Sequence, residues 1–183
     1  MPRAQTETDL VELLDELNIP FTLTRHEALF TVEQSQAAVR DTPGAHCKNM
    51  FLKSKSGALI LVTCEENRRI RIRDLERAIG VKKLSFAKPD LLLTHLGVTP
   101  GAVTPLSVVN DTQNAVRVVL DAQMMNSDTL HCHPLHNEAT IAISTTDLIR
   151  VFDHTGHMAE LVDFDALEQA ALTATSGLAA NAN

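Results

Sequence analysis

The chain of 183 residues has no tryptophan, no tyrosine and only six phenylalanines. Proteins that hold long single strands of nucleic acid do so on aromatic platforms, so this composition argues against that class. Cysteine is equally sparse. Cys47, Cys64 and Cys132 are odd in number and form no CxxC pair, so free thiols in a reducing compartment are expected. No run of about 18 apolar residues is present, which argues against a helical membrane span. The opening MPRAQTETDLVELL has no apolar core and carries acids early, unlike a secretory signal, and the cytoplasm is the expected location. Catalytic signatures are missing as well. Ser107, Ser144 and the three cysteines sit in no G-x-S-x-G elbow and no papain-like context, and Gly97 to Gly101 is not followed by the Gly-Lys-Ser/Thr of a P-loop.

What is present fits one domain long enough for a full hydrophobic core. The net charge of −7 argues, for the chain as a whole, against a general nucleic-acid binder. Its distribution is uneven. Between Lys48 and Lys88 eleven basic residues face four acids, a local +7 that leaves −14 for the remainder. Such a segment is either a surface for a phosphate backbone or a solvated face whose charges pair among themselves.

The hydrophobic pattern predicts a first helix capped by Thr8 or Asp9, with Leu10, Leu13, Leu14 and Leu17 at helical spacing and a stop at Asn18. Phe21–Thr24 alternates as a short strand, and Thr31 with Gln34 has capping-box spacing for a helix to Arg40. Asp41–Gly44 reads as a turn. Cys47–Lys53 and Ala58–Cys64 read as a hairpin joined across Ser54–Gly57. A short helix follows at Asp74–Ile79, ended by Gly80, then a strand at Lys83–Phe86. Pro89 suits the first turn of a helix over Asp90–Leu96 that Gly97 closes. Strands are expected at Leu106–Val109, Val116–Leu120, Thr129–Cys132, Thr140–Ile143 and Met158–Val162. Helices are expected at Asp147–Phe152, capped by Thr145 or Thr146, and at Asp165–Leu172. This order predicts a single α+β domain over residues 1–172, with a mixed, mostly antiparallel sheet flanked by helices. The small, polar residues 173–183 form a fraying tail.

The stretch LGVTPGAVTPLSVVND, Leu96–Asp111, concentrates the helix-breakers Gly97, Pro100, Gly101 and Pro105. Pro100-Gly101 suits the two central positions of a type II turn. Such a turn leaves main-chain N–H groups facing outward, suited to an oxyanion or a ribose, although the same pattern also makes a plain surface loop. Lys48 falls on the predicted strand face of Met50 and Leu52. It either points into a cleft, where its charge must be used, or snorkels from the strand's solvated mouth. His131 and His133 share a strand face with His136 close by, but without HExxH or a carboxylate at ligand spacing they are a weak zinc signal. The residues themselves therefore lead to an α+β domain with a main-chain-lined cleft, one candidate lysine and one candidate histidine.

Four segments taken together, CKNMFLK (Cys47–Lys53), LSFAKPDLLLTHLGV (Leu84–Val98), PGAVTPLSVVND (Pro100–Asp111) and CHPLHNEAT (Cys132–Thr140), resemble in order and spacing the YbaK/ProX family of aminoacyl-tRNA deacylases. These are relatives of the editing insertion of bacterial prolyl-tRNA synthetase. The N-terminal helix and RHEALFTVEQSQA are similar to its free-standing alanyl-tRNA(Pro) deacylase branch, ProXp-ala. The resemblance implies hydrolysis of the ester between a wrong amino acid and the terminal adenosine of tRNA, with no cofactor and no metal. It assigns Lys48 to the substrate's carbonyl or ribose, with Asn49 in support. Gly101, framed by Pro100 and Ala102, would offer a main-chain N–H to the aminoacyl carbonyl. His133 would contact the terminal adenosine or its ribose, with Asn137 and Thr140 shaping that wall. Water would be positioned by the substrate's own 2′-hydroxyl. Cys132 and Leu106 depart from the aromatic residues common in relatives, which bears on pocket size.

The implied partners are a mischarged tRNA(Pro) acceptor end and, with it, prolyl-tRNA synthetase, for a monomer or weak homodimer with no membrane association. The alternatives are a deacylase for serine or cysteine, a non-catalytic module of the same fold that binds a tRNA end or a synthetase, and a small metal hydrolase using His131, His133 and His136.

Overall fold

The computed structural model describes residues 5–28, 42–170 and 173. The helix expected at Thr31–Arg40 and the expected tail after residue 173 lie outside the described residues. The elements in chain order are α1 (Glu7–Glu16), β1 (Phe21–Arg25), β2 (Ala45–Lys53), β3 (Leu59–Glu65), α2 (Ile72–Ala78), β4 (Ser85–Phe86), α3 (Pro89–Leu96), β5 (Val116–Asp121), β6 (Thr129–Cys132), β7 (Ala139–Ser144), α4 (Thr145–Thr155) and β8 (Ala159–Val162). Short 3-10 helices cover Pro105–Asn110 and Met124–Asn126, and residues 164–170 are helical.

The strands form one mixed sheet in the order β1-β7-β6-β2-β3-β5-β8, with β4 paired to β2. Four pairings are antiparallel and three, β2–β6, β3–β5 and β5–β8, are parallel. Both faces are covered. On one, Leu61, Val118 and Leu120 pack with Leu10 and Leu14 of α1, Leu92 and Leu96 of α3, and Phe152 of α4. On the other, Ile60, Val62 and Val119 pack with Leu75 of α2 and with Phe164. A strand covered on both faces reads as a continuous apolar run, which is why LILVTC of β3 shows no alternation.

Local chemistry sets the helix ends. Thr6, two residues before the expected cap, closes a reciprocal capping box with Asp9 and starts α1. Ser144, and not Thr145 or Thr146, caps α4 by accepting from the Asp147 N–H at 3.0 Å. Gly97 (φ 66°) ends α3 and Gly156 (φ 75°) ends α4, both in the left-handed region that glycine tolerates best.

Leu106–Val109 is not the expected strand. Pro105 at the first position and the Thr104 hydroxyl, which accepts from Leu106 N–H, turn this run into a 3-10 helix. Leu106-Ser107-Val108-Val109 is too short a stretch to carry a usable period, and its complete burial is equally consistent with either geometry. The strand expected at Lys83–Phe86 shrinks to Ser85–Phe86, because Lys83 takes a positive φ of 57°.

At the mouth of β2, Gly44 has φ +126°, and a β-carbon there would lie 2.7 Å from the Thr129 carbonyl oxygen and 3.0 Å from His131 Nε2. Gly44→Ala is expected to cost about 1–3 kcal/mol from backbone strain and this clash, read as a lower urea midpoint at unchanged slope.

Candidate functional site

The outer edge of β2 is divided. Residues Ala45 and His46 pair with β6, and Leu52 and Lys53 pair with β4. Between them, residues 47–50 meet no strand on that edge among the described residues, while their other edge is held by β3. The side chains of this open stretch go to both faces of the sheet. Lys48 lies beside its register partner Cys64 on the α2 side, and Asn49 beside Thr63 on the α1 side.

Lys48 is half-buried, and its ammonium donates to the carbonyl oxygen of Glu66 at 2.9 Å and to that of Arg68. Arg68 is in turn fixed by its side chain. Its guanidinium donates to the fully buried Asp121 carboxylate at 3.0 Å and also to Asp165. The lysine is thus not loose at the strand mouth, and among the described residues it is not paired with an acid. Its charge is held by main-chain oxygens, which leaves one of its three N–H groups. Asn49 does not reach it. The Asn49 amide donates to the Val103 carbonyl oxygen at 2.8 Å and accepts from the Thr63 hydroxyl at 2.8 Å.

Val103 belongs to the loop that contains the expected turn. Ala102 N–H donates to the Thr99 carbonyl at 3.0 Å, and Gly101 has φ +90°, so Thr99–Ala102 is a type II turn with Pro100 and Gly101 in its centre. The Ala102 amide is spent on closing the turn, and by turn geometry the Gly101 N–H faces outward.

A second contact joins β2 to the segment of His133. Cys47 Sγ lies 3.5 Å from Cys132 Sγ and 3.8 Å from Met124 Sδ. The Cys132 contact and burial push the Cys47 thiol well up, and burial raises Cys64 to about 12. Both thiols are protonated at neutral pH, so neither is a ready nucleophile beside Lys48. His133 Nδ1 donates to the Ala139 carbonyl at 3.4 Å, and burial pushes its pKa below the ordinary 6.5. Its imidazole is therefore neutral near pH 7, with Nε2 as acceptor. Thr140 is buried and lies 2.9 Å from His26 Nε2, while His26 Nδ1 lies 2.8 Å from the Glu27 carbonyl. Asn137 is half-buried on the turn that carries His133.

The Lys48, Gly101 and His133 segments are thus drawn together through the neighbours of Lys48: Asn49 reaches the turn, and Cys47 reaches β6. Thr63 enters the surroundings without any signal in the sequence, and His26, though inside the RHEALFTVEQSQA segment, was given no role there. The other two histidines of the HCHPLH segment are engaged elsewhere. His131 stacks on His46 with centroids 4.4 Å apart, and its Nε2 donates to the Pro43 carbonyl oxygen at 3.0 Å. His136 pairs with Glu7 of α1. Among the described residues no group of three or more His, Cys, Asp or Glu is placed to hold a metal ion, and no helix is long and apolar enough to cross a membrane.

The segment from Lys48 to Lys88 divides as well. Arg68, Arg71 and Arg77 pair with acids. Arg69, Arg73, Lys82, Lys83 and Lys88 are exposed and make no ion pair among the described residues.

A family model described as the aminoacyl-tRNA editing domain matches residues 26–151. The chain is 37% identical over 159 residues, 86% of each protein, to prolyl-tRNA synthetase associated domain-containing protein 1 of Danio rerio. It is 32% identical over 155 residues to prolyl-tRNA editing protein ProX of Acetoanaerobium sticklandii, covering 84% of this chain and 94% of that one. A solved structure assigned provisionally as a trans-editing enzyme for prolyl tRNA synthetase has the same fold, with a TM-score of 0.67 at 18% identity over 89% of this chain and 96% of that one.

Burial holds both His133 and His46 below 6.5, so the fold favours their neutral forms. The unfolded chain takes up protons first as pH falls. This contribution to stability is complete above about pH 6.5 and is lost as pH drops through the lowered values. Urea unfolding from about pH 7.5 to about pH 5.5 is expected to show falling stability, with a shallower fall in His133→Gln.

Proposed function

Because the chain belongs to the aminoacyl-tRNA editing domain family, we propose that it is a trans-acting deacylase for mischarged tRNA, with alanine on tRNA(Pro) as its substrate. The observation that supports this best is the open stretch of β2, with a main-chain-held ammonium on it and a type II turn tethered to it. An aminoacyl ester is already activated, so it needs positioning and oxyanion stabilisation more than a strong nucleophile.

In this reading the remaining N–H of Lys48 binds the substrate's carbonyl or ribose. Gly101 N–H receives the carbonyl oxygen as it becomes negative, with Pro100 and Ala102 framing the turn. His133 contacts the terminal adenosine or its ribose, beside Asn137 and Thr140. Water positioned by the substrate's 2′-hydroxyl adds to the ester carbon. The bond from that carbon to the ribose oxygen then breaks, and the oxygen takes up the proton that the water gives up. The products are free amino acid and intact tRNA.

The tRNA acceptor end is the partner, and the exposed cations Arg69, Arg73, Lys82, Lys83 and Lys88, which pair with no acid among the described residues, suit its phosphates. The names of the Danio rerio and Acetoanaerobium sticklandii relatives support prolyl-tRNA synthetase as the enzyme whose errors are corrected. A pocket separates side chains differing by one methylene by only about 1–3 kcal/mol, so alanine must be measured against serine, cysteine and proline.

Deacylation of Ala-, Ser-, Cys- and Pro-tRNA(Pro) by the purified protein tests this directly. Alanine is expected to be released fastest. Lys48→Ala is expected to lower kcat/KM by about 100-fold or more with the fold kept by circular dichroism. Wild-type rates in that variant would remove Lys48 from the reaction, and binding of charged tRNA without turnover would make the chain a non-catalytic module. Lys82→Glu with Lys83→Glu is expected to raise KM for tRNA and to reduce the salt slope of binding by about 2.

A further inference from the structure

The hydrogen bonds around Asn49 have only one consistent set of directions. The Val103 carbonyl can only accept, so the group of Asn49 that faces it at 2.8 Å must be the Nδ2 amide. The Oδ1 atom then faces Thr63, and the Thr63 hydroxyl, 2.8 Å away, must donate to it. Thr63 is fully buried in β3 and pairs with Asn49 in the strand register. A flipped amide would set Oδ1 against the Val103 oxygen, acceptor against acceptor.

We infer that Thr63 is a positioning residue: by orienting the Asn49 amide it fixes the height of the Gly101 turn above the open stretch of β2. The inference rests on the proposed deacylase reading for its catalytic consequence, though not for its geometry. Upstream the turn is closed on itself by Ala102 N–H to Thr99 O at 3.0 Å. Downstream, the Ser107 hydroxyl donates to the Thr104 carbonyl at 2.5 Å, and fully buried Thr104 caps the 3-10 helix. Between these two local closures, Asn49 is a side-chain tether from the loop to the β2–β3 pair, and it joins residues 54 apart in sequence. Neither Thr63 nor Asn49 needs to touch the substrate. Their part is to keep the Gly101 N–H where the carbonyl oxygen becomes negative, and a displacement of well under 1 Å there weakens transition-state stabilisation more than substrate binding.

Thr63→Val keeps the shape and strand preference of the side chain and removes only the donor. Deacylation kinetics at a temperature where both proteins are folded, and amide hydrogen exchange without substrate, read its effect. The expected result is kcat lower by about tenfold with KM within about twofold. Exchange should be faster at residues 101–106 and unchanged in β2 and β3. Thr63→Ser, which restores the donor, is expected to recover both. Wild-type kcat and exchange in Thr63→Val, or no recovery in Thr63→Ser, would overturn the inference. If Thr63→Val did not fold, Asn49→Ser, which removes the tether, carries the same two expectations. If the wild-type protein released no amino acid from any charged tRNA, the deacylase reading would fall, and the exchange measurement alone would decide the tether.

Discussion

The register between β2 and β3 is the constraint on which the rest of the structure depends. Seven pairs, from Cys47↔Glu65 to Lys53↔Leu59, hold the two strands together. Because side chains alternate along a strand, this register sends Lys48 and Asn49 to opposite faces of the sheet. Lys48 meets the carbonyls of the segment that follows β3, and Asn49 meets the turn that follows α3. Cys47, on the face of Asn49, meets Cys132 and so the segment of His133. A slip of one residue would exchange these partners and turn each side chain to the other face. The candidate site is therefore built on a strand held by its neighbour, and the loops come to it.

Burial of polar groups explains why these contacts recur together. A sheet covered on both sides leaves no water for Thr63 and only limited water for the half-buried Lys48 and Asn49, so each finds partners within the protein. The same holds for the fully buried carboxylate of Asp121, which Arg68 neutralises, so that the Arg68 main chain is presented to Lys48 by a side chain anchored elsewhere. Titratable groups whose burial outweighs any opposite charge nearby respond differently, Cys64 among them despite Lys48 and Arg68. His133, His46 and the Cys47 and Cys64 thiols are pushed toward their neutral forms. Around the open stretch, the fixed positive charge is that of Lys48, held by dipoles.

Features set by neighbours in the chain were legible from the residues. Gly97 after α3 is a helix end because glycine accepts a left-handed backbone, and Thr99–Ala102 is a type II turn for the same reason at Gly101. The hairpin of β2 and β3 was legible too, but its register was not. A loop of Ser54–Gly57 would set Asn49 against Val62. In the structure Ser54 also pairs with Ala58, through Ser54 N–H to the Ala58 carbonyl and Ala58 N–H to the Ser54 hydroxyl, and this moves the partner to Thr63. Leu106–Val109 was misread because four residues are too few to show a period, while the deciding groups, Thr104 and Pro105, lie just outside it.

By itself, then, the order of residues determined the α+β class, most strands and helix ends, the turn at Pro100-Gly101, and Lys48 and His133 as the groups worth following. These follow from φ preferences, capping and periodicity, which act over a few residues. Only the tertiary structure decided that Asn49 serves the turn and not Lys48, that Lys48 is held by two carbonyls, that Thr63 and His26 belong to the surroundings of the site, and which cations pair with acids among the described residues. The physical reason is distance along the chain. Hydrogen bonds between residues such as Asn49 and Val103, or His26 and Thr140, depend on how sheet and loops pack against each other, and no local preference encodes that packing.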